Sequence, residues 1–451
     1  MTTIALQLDL MRHGEVSAAE LAEEALTAAT PELGAWELVD AEGVRAAARA
    51  ADRRRRDGDD APLLGVPIAV KDVIDVAGLP TRAGSAGWSR LPSRDAGAVA
   101  ALRAAGATVV GKTFTVEWAY GIDGLNPHRP PCLNPRAPDR LPGGSSSGSA
   151  AVLASGSVAA ALGTDTSGSV RVPAAFCGVV GLRPTFATVP IDGVVPLAPS
   201  YDVVGPMATT VADVALLHAV LVNARDTSLR PWRGAPPRIG IVESLLAPAV
   251  CDPGVAATLR ALIDRMEQRG ARVDSVAIPG MERALAVHRT IQLRESADVH
   301  HELGTDPASV APPVRERLAA GAALDGATVA DARRERGRLA AAIDAALASR
   351  DALLAPGATV SPPLRTAAHQ AGAATGPALT ISGTSMPLRD ALLAAPVPFS
   401  QHAGPALVLP AGTTDGLPVG VQLVGRRGSD RALLDLAAAY VEEAPAEMPV
   451  V

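Results

Sequence analysis

The chain has 451 residues, 48% hydrophobic and 20% charged, which is a globular composition long enough for one large core or two to three ordinary ones. A formal net charge of −6 argues against nucleic acid as a partner, and an aromatic content of 2% leaves few stacking platforms for bases or sugars. Three widely spaced cysteines (Cys132, Cys177, Cys251), with no CxxC pair, suggest reduced thiols and a cytoplasmic protein.

The N-terminal stretch MTTIALQLDLMRHGEVS lacks a basic leader region and meets Asp9 too early for a signal peptide. No uncharged apolar run reaches membrane-spanning length, so no membrane partner is expected. Residues 17 to 30 read as a helix opened by Ser17 with Glu20 three positions on, a capping-box pattern. Residues 41 to 56 form a second helix, and its RRRR end, between Asp52 and Asp57, reads as a solvated helix terminus. The short apolar run VPIAV follows and ends at Lys71. Residues 95 to 106 look helical, TVVG at 108 to 111 looks like a buried strand, and VAAALGTD is a second apolar run. Further strands are expected at 238 to 242, 272 to 278, 352 to 356, 406 to 412 and 418 to 425. The clearest helices between them lie at 253 to 269 and 328 to 350. This alternation indicates an α/β/α sandwich on a mostly parallel or mixed sheet. Residues 225 to 400, poor in motifs, read as a helical excursion folded onto the same core.

Only two of the 41 basic residues are lysines. Arginine replaces lysine cheaply on a solvated surface, but not where an amine must give up its proton. Lys71 closes an apolar run, and two serine clusters follow it: GGSSSGS at 143 to 149 and GTDTSGS at 163 to 169. Those are the parts of a serine hydrolase whose base is not histidine. The second cluster should turn from a strand into a short helix near Ser169, ending at Gly178 as a C-cap. Amides at such a turn suit an oxyanion, and Gly168 allows close approach of a carbonyl.

Competing motifs fit less well. GATVVGKT at 106 to 113 matches a P-loop pattern, yet its variable positions are β-prone and belong to a strand rather than a phosphate-cradling turn. A P-loop NTPase is therefore a remote alternative, and Lys112 reads as structural. GSSSG at 144 to 148 matches a nucleophile elbow centred on Ser146, but its lead-in NPRAPDRLPG is loop rather than strand. His300 and His301 point about 100° apart on a helix and lack a third ligand, so they read as packing or surface residues.

In combination, GGSSSGS, GTDTSGSVRVP and GVVGLRPT resemble the amidase signature family. The likeness extends to LLGVPIAVKDVIDVAGLPTRAGS, DAGAVAALRAAGATVVGKT, CLNP and GPALVLPAGTTDGLPVGVQLVG, and covers roughly residues 5 to 445. The resemblance implies one amidase signature domain over residues 1–451 with that family's fold. It also implies a Ser–cisSer–Lys triad in which Ser169 is the nucleophile, Ser145 the bridging residue on a cis peptide, and Lys71 the ultimate base. The amides of Thr166, Ser167, Gly168 and Ser169 would form the oxyanion hole, with Ser146, Asp165 and Arg171 in support. The implied activity is hydrolysis of a carboxamide to acid and ammonia through an acyl-enzyme, with no metal or nucleotide cofactor. The partner would be a small-molecule amide, and a homodimer is compatible with this reading.

Departures bear on the substrate. Ser147 and Ser167 replace common glycines, and Phe114 stands where Asn is usual after GKT. The stretch FTVEWAYGIDGLNPHRPP differs from the DEFAMGSSTENS-like pattern of amidotransferase A subunits, so a partner-dependent subunit is the less favoured alternative. An allophanate- or biuret-type urea-derivative hydrolase is another. Trp118, Tyr120, His128 and Tyr201 are candidates to line the acyl pocket. The low aromatic content points to a small or aliphatic substrate.

Overall fold

The computed structural model describes residues 3–232, 235–366 and 378–441. Eleven strands form one mixed sheet: β1 Trp36–Val39, β2 Pro67–Lys71, β3 Thr108–Thr113, β4 Ala160–Asp165, β5 Val180–Arg183, β6 Val203–Ala208, β7 Arg238–Val242, β8 Arg272–Val276, β9 Ala352–Pro356, β12 Ala406–Thr414 and β13 Leu417–Val424. Their order is β1-β3-β2-β4-β6-β5-β12-β13-β9-β7-β8, and a separate hairpin joins β10 Ala378–Ile381 to β11 Thr384–Pro387. The neighbours β2/β3, β2/β4, β7/β8 and β7/β9 run parallel. The other pairings are antiparallel. This is the expected mixed α/β architecture.

The central strands are buried along their whole length, β2, β3, β4 and β6 at every position. Covered on both faces, they read as continuous apolar runs rather than alternating ones. The helix Ala18–Ala28 begins at Ser17, whose hydroxyl accepts from the Glu20 amide while the Glu20 carboxylate accepts from the Ser17 amide. The RRRR run is the last turn of the helix Ala41–Arg56, where its charge complements the helix dipole.

The segment 225 to 400 holds the strands expected at 238 to 242, 272 to 278 and 352 to 356 as well as helices. It contributes β7, β8 and β9 to the main sheet. The excursion proper is the set of helices Ala284–Glu302, Pro312–Ala322 and Gly326–Leu347. Positions 233–234 and 367–377 of that segment lie outside the described residues. The helix Ser147–Ala154 begins inside the GGSSSGS cluster, and every one of its residues is buried. A helix enclosed on all sides has no polar stripe and leaves no amphipathic signature in the sequence.

Candidate active site

Lys71 ends β2, and its neighbour β4 runs parallel and ends at Thr164 and Asp165. Both strands therefore deliver their C-terminal residues to the same edge of the sheet, where open α/β sheets bind ligands. Lys71 is fully buried. Its Nζ lies 2.7 Å from Ser145 Oγ and 2.8 Å from Thr164 Oγ1, with the Thr164 carbonyl at 3.5 Å. No carboxylate forms an ion pair with it among the described residues. Burial lowers its pKa to about 7, against the weaker upward pull of Asp165 and Asp202. An amine in that condition exchanges protons near neutrality.

Ser145 follows a cis peptide bond, Gly144–Ser145, and lies two residues before the buried helix Ser147–Ala154, whose N-cap is Ser146. The Ser146 amide donates to the Ser169 carbonyl at 3.1 Å, which ties the first serine cluster to the second. Ser146 Oγ lies 3.3 Å from both the carbonyl and the amide of Thr164. Ser169 is 4% exposed, just ahead of the helix Arg171–Cys177, which ends at Gly178 in the left-handed region.

The Ser169 turn is braced by one carboxylate. Asp165 accepts from the amides of Gly168 (2.9 Å), Val170 (3.2 Å) and Arg171 (3.4 Å), and from the Arg171 guanidinium at 3.0 and 2.9 Å. Burial works to raise its pKa, but Arg171, Arg183 and the Val170 amide hold the carboxyl well below the usual range. Arg171 also reaches the Pro396 carbonyl, Gln422 Oε1 and Ser400 Oγ, fixing the turn to the C-terminal part of the sheet. Gly168 has φ 116°, and a Cβ there would stand 2.5 Å from Pro396 Cβ. Its amide, one of the expected oxyanion donors, is directed at Asp165 in this structure. Thr166 Oγ1 donates to Asp202, and Ser167 Oγ lies 2.7 Å from His288 Nε2 and accepts from Gln292 Nε2 at 3.0 Å.

The aromatic candidates divide. Tyr120 lines a cavity of about 320 Å³ together with Gln292, Arg317 and Arg389. Trp118 is instead packed between Trp88 and His300, with ring centroids at 5.0 and 4.5 Å. His128 is bonded to the Glu117 carboxylate at 3.0 Å, and Tyr201 is fully buried with its hydroxyl on Gln401. These three are held by packing and internal bonds and do not border that cavity. Lys112 pairs with Asp72 at 2.9 Å, both fully buried, within a stretch that is strand β3 and not a phosphate-binding turn. His300 packs on Trp118, and no group of three or more His, Cys, Asp or Glu among the described residues is arranged for a metal ion. Cys132, Cys177 and Cys251 are buried free thiols. No described helix is long and apolar enough to cross a membrane.

Sequence reading missed Thr164, His288, Gln292 and Arg389. Thr164 lies inside the GTD motif and was within reach of it. His288 and Gln292 are more than a hundred positions from the serine they touch, on a helix without any local motif.

Residues 19–434 match the Amidase family. The chain is 36% identical to the glutamyl-tRNA(Gln) amidotransferase A subunit of Roseiflexus castenholzii (strain DSM 13941 / HLO8), across 97% of this chain and 95% of that protein. A solved amidase structure superposes with TM-score 0.89 at 34% identity, covering 96% of this chain and 98% of its own. The native peptide amidase of Stenotrophomonas maltophilia gives TM-score 0.81 at 30% identity over 97% and 96%. Likeness to amidotransferase A subunits thus runs the length of the chain, despite the divergent stretch after Phe114.

Proposed function

The chain belongs to the amidase family, and from that premise we propose that it is an amidohydrolase using Ser169 as nucleophile, Ser145 as proton bridge and Lys71 as base. One observation carries this reading: a buried lysine whose near neighbours are hydroxyls, with its pKa brought down to about 7. Such an amine accepts a proton at working pH, where an ion-paired lysine would not.

In the proposed course, Ser169 Oγ attacks the amide carbonyl carbon as its proton passes to Ser145, whose own proton moves to Lys71. The oxyanion accepts from the amides of Thr166, Ser167 and Ser169, while the Gly168 amide braces the turn through Asp165. Collapse breaks the C–N bond, and the proton held at Lys71 returns through Ser145 to the departing nitrogen, releasing ammonia or an amine. Water then cleaves the ester on Ser169 by the same relay. Buried, reduced thiols suit a cytoplasmic enzyme.

The test is ammonia release from small carboxamides and ureas by wild type beside Ser169→Ala. Loss in the variant supports the reading; equal rates in both overturn it. A second reading rests on the likeness to the Roseiflexus protein: an amidotransferase A-like subunit needing a partner. Labelling of Ser169 by a fluorophosphonate without turnover of any amide would favour that reading. Turnover of ureas over carboxamides would favour a urea-derivative hydrolase.

A further inference from the structure

The cavity of about 320 Å³ is small for a ligand site and shares one wall residue, Gln292, with the surroundings of the candidate active site. Gln292 lines it and, from the same side chain, donates to Ser167, two residues before Ser169. Three arginines face it: Arg289, Arg317 and Arg389. Two are occupied. Arg289 is paired with Asp390, and Arg317 donates to the Tyr120 carbonyl while its guanidinium lies 5.1 Å from the Tyr120 ring centroid.

Arg389 differs. It is half-buried, and among the described residues it has neither a hydrogen bond nor an ion pair. Its one described contact is the Tyr120 ring, 5.8 Å from its guanidinium carbon. The acidic side chains on the cavity wall do not answer it: Asp390 is taken by Arg289, and Glu316 is exposed. Burial, with the charges of Arg317 and Arg289 beside it, destabilises the Arg389 cation, against a weaker opposing pull from Tyr120 and Asp123. A partly desolvated, unpaired guanidinium is suited to a two-pronged bond with a planar anion.

We propose that Arg389 is the anion-recognising end of a substrate subsite, so that the amide cleaved at Ser169 is a small molecule that also bears a carboxylate. The Tyr120 ring beneath the guanidinium limits its movement, and Gln292 marks the path from the carboxylate end to the serine turn. This identification of the ligand as substrate rests on the amidohydrolase reading, whereas the anion site itself does not.

The test is calorimetric titration, at low ionic strength, of succinate and of neutral succinamide into wild type, Arg389→Gln and Arg389→Lys. Succinate should bind wild type at least about tenfold tighter than succinamide, and Arg389→Gln should erase that difference. Arg389→Lys keeps the charge without the fork and should fall between them; it also carries the test should the glutamine variant fail to fold. Equal succinate affinity in wild type and both variants, or no preference for succinate over succinamide, overturns the proposal. Ammonia release from succinamate is measured alongside. Arg389-dependent binding with no release would overturn the hydrolase reading and leave the anion site standing. Release from butyramide as fast as from succinamate would do the reverse.

Discussion

Lys71 and Lys112 lie on adjacent parallel strands one position out of step, Lys71 in register with Thr113 and Lys112 with Val70. Side chains alternate along a strand, so the two amines leave opposite faces of the sheet. On one face Lys71 meets only hydroxyls and a carbonyl; on the other, Lys112 meets the Asp72 carboxylate and the Thr81 hydroxyl. Two equally buried lysines thereby acquire different chemistry: one is a candidate base and the other half of a structural ion pair.

The first prediction concerns Lys71. With its pKa near 7, the neutral amine is the productive form above that pH and the ammonium below it. The kcat/KM for ammonia release should therefore rise with pH through neutrality and then level. Lys71→Ala should lower the rate by about a thousandfold or more and remove this limb. A pH profile flat across neutrality in the wild type would count against Lys71 as base.

Lys112→Met should act on stability. Both partners of the Lys112–Asp72 pair are fully buried, and removing one leaves an uncompensated charge, costing about 3–5 kcal/mol. Adding Asp72→Leu should recover part of that loss. Urea unfolding midpoints of the single and double variants measure the difference. A single variant as stable as wild type would contradict the assigned pairing.

Gly168→Ala should both destabilise and slow the protein. The new Cβ would sit at φ 116° and 2.5 Å from Pro396 Cβ, at a cost of about 1–3 kcal/mol from backbone strain alone. Gly270→Ala, at φ 92° with nothing within 4 Å, supplies the comparison. It carries strain without the clash, so it should lower the melting temperature less and leave ammonia release intact. Similar losses of activity in both variants would argue against a special role for the Ser169 turn.

Ser17→Ala removes a helix cap remote from the serine clusters in sequence. It should cost about 1 kcal/mol of stability with unchanged turnover. Thermal unfolding and ammonia release measured together check both halves.

Much of this was legible in the sequence. The apolar runs within VPIAVK and VAAALGTD read as strands because central strands, covered on both faces, are apolar along most of their length. Ser17 with Glu20 announced its helix because capping is a contact between residues three apart. The Gly/Ser run at 143 to 149 hid the start of a helix, since an enclosed helix shows no amphipathic period.

The sequence by itself determined which residues are the candidates for the chemistry: a lysine retained in an arginine-rich chain, and two serine clusters whose local turns are set by glycine and by the residues beside it. Tertiary structure decided what each of them faces. Strand register separated Lys71 from Lys112, long-range packing brought His288 and Gln292 to Ser167, and the Arg171 network tied the serine turn to Pro396, Ser400 and Gln422. It also left Arg389 unpaired beside Tyr120. Local rules act over a few residues and can be read from them, whereas the partner of a buried charge is fixed only when distant segments pack together.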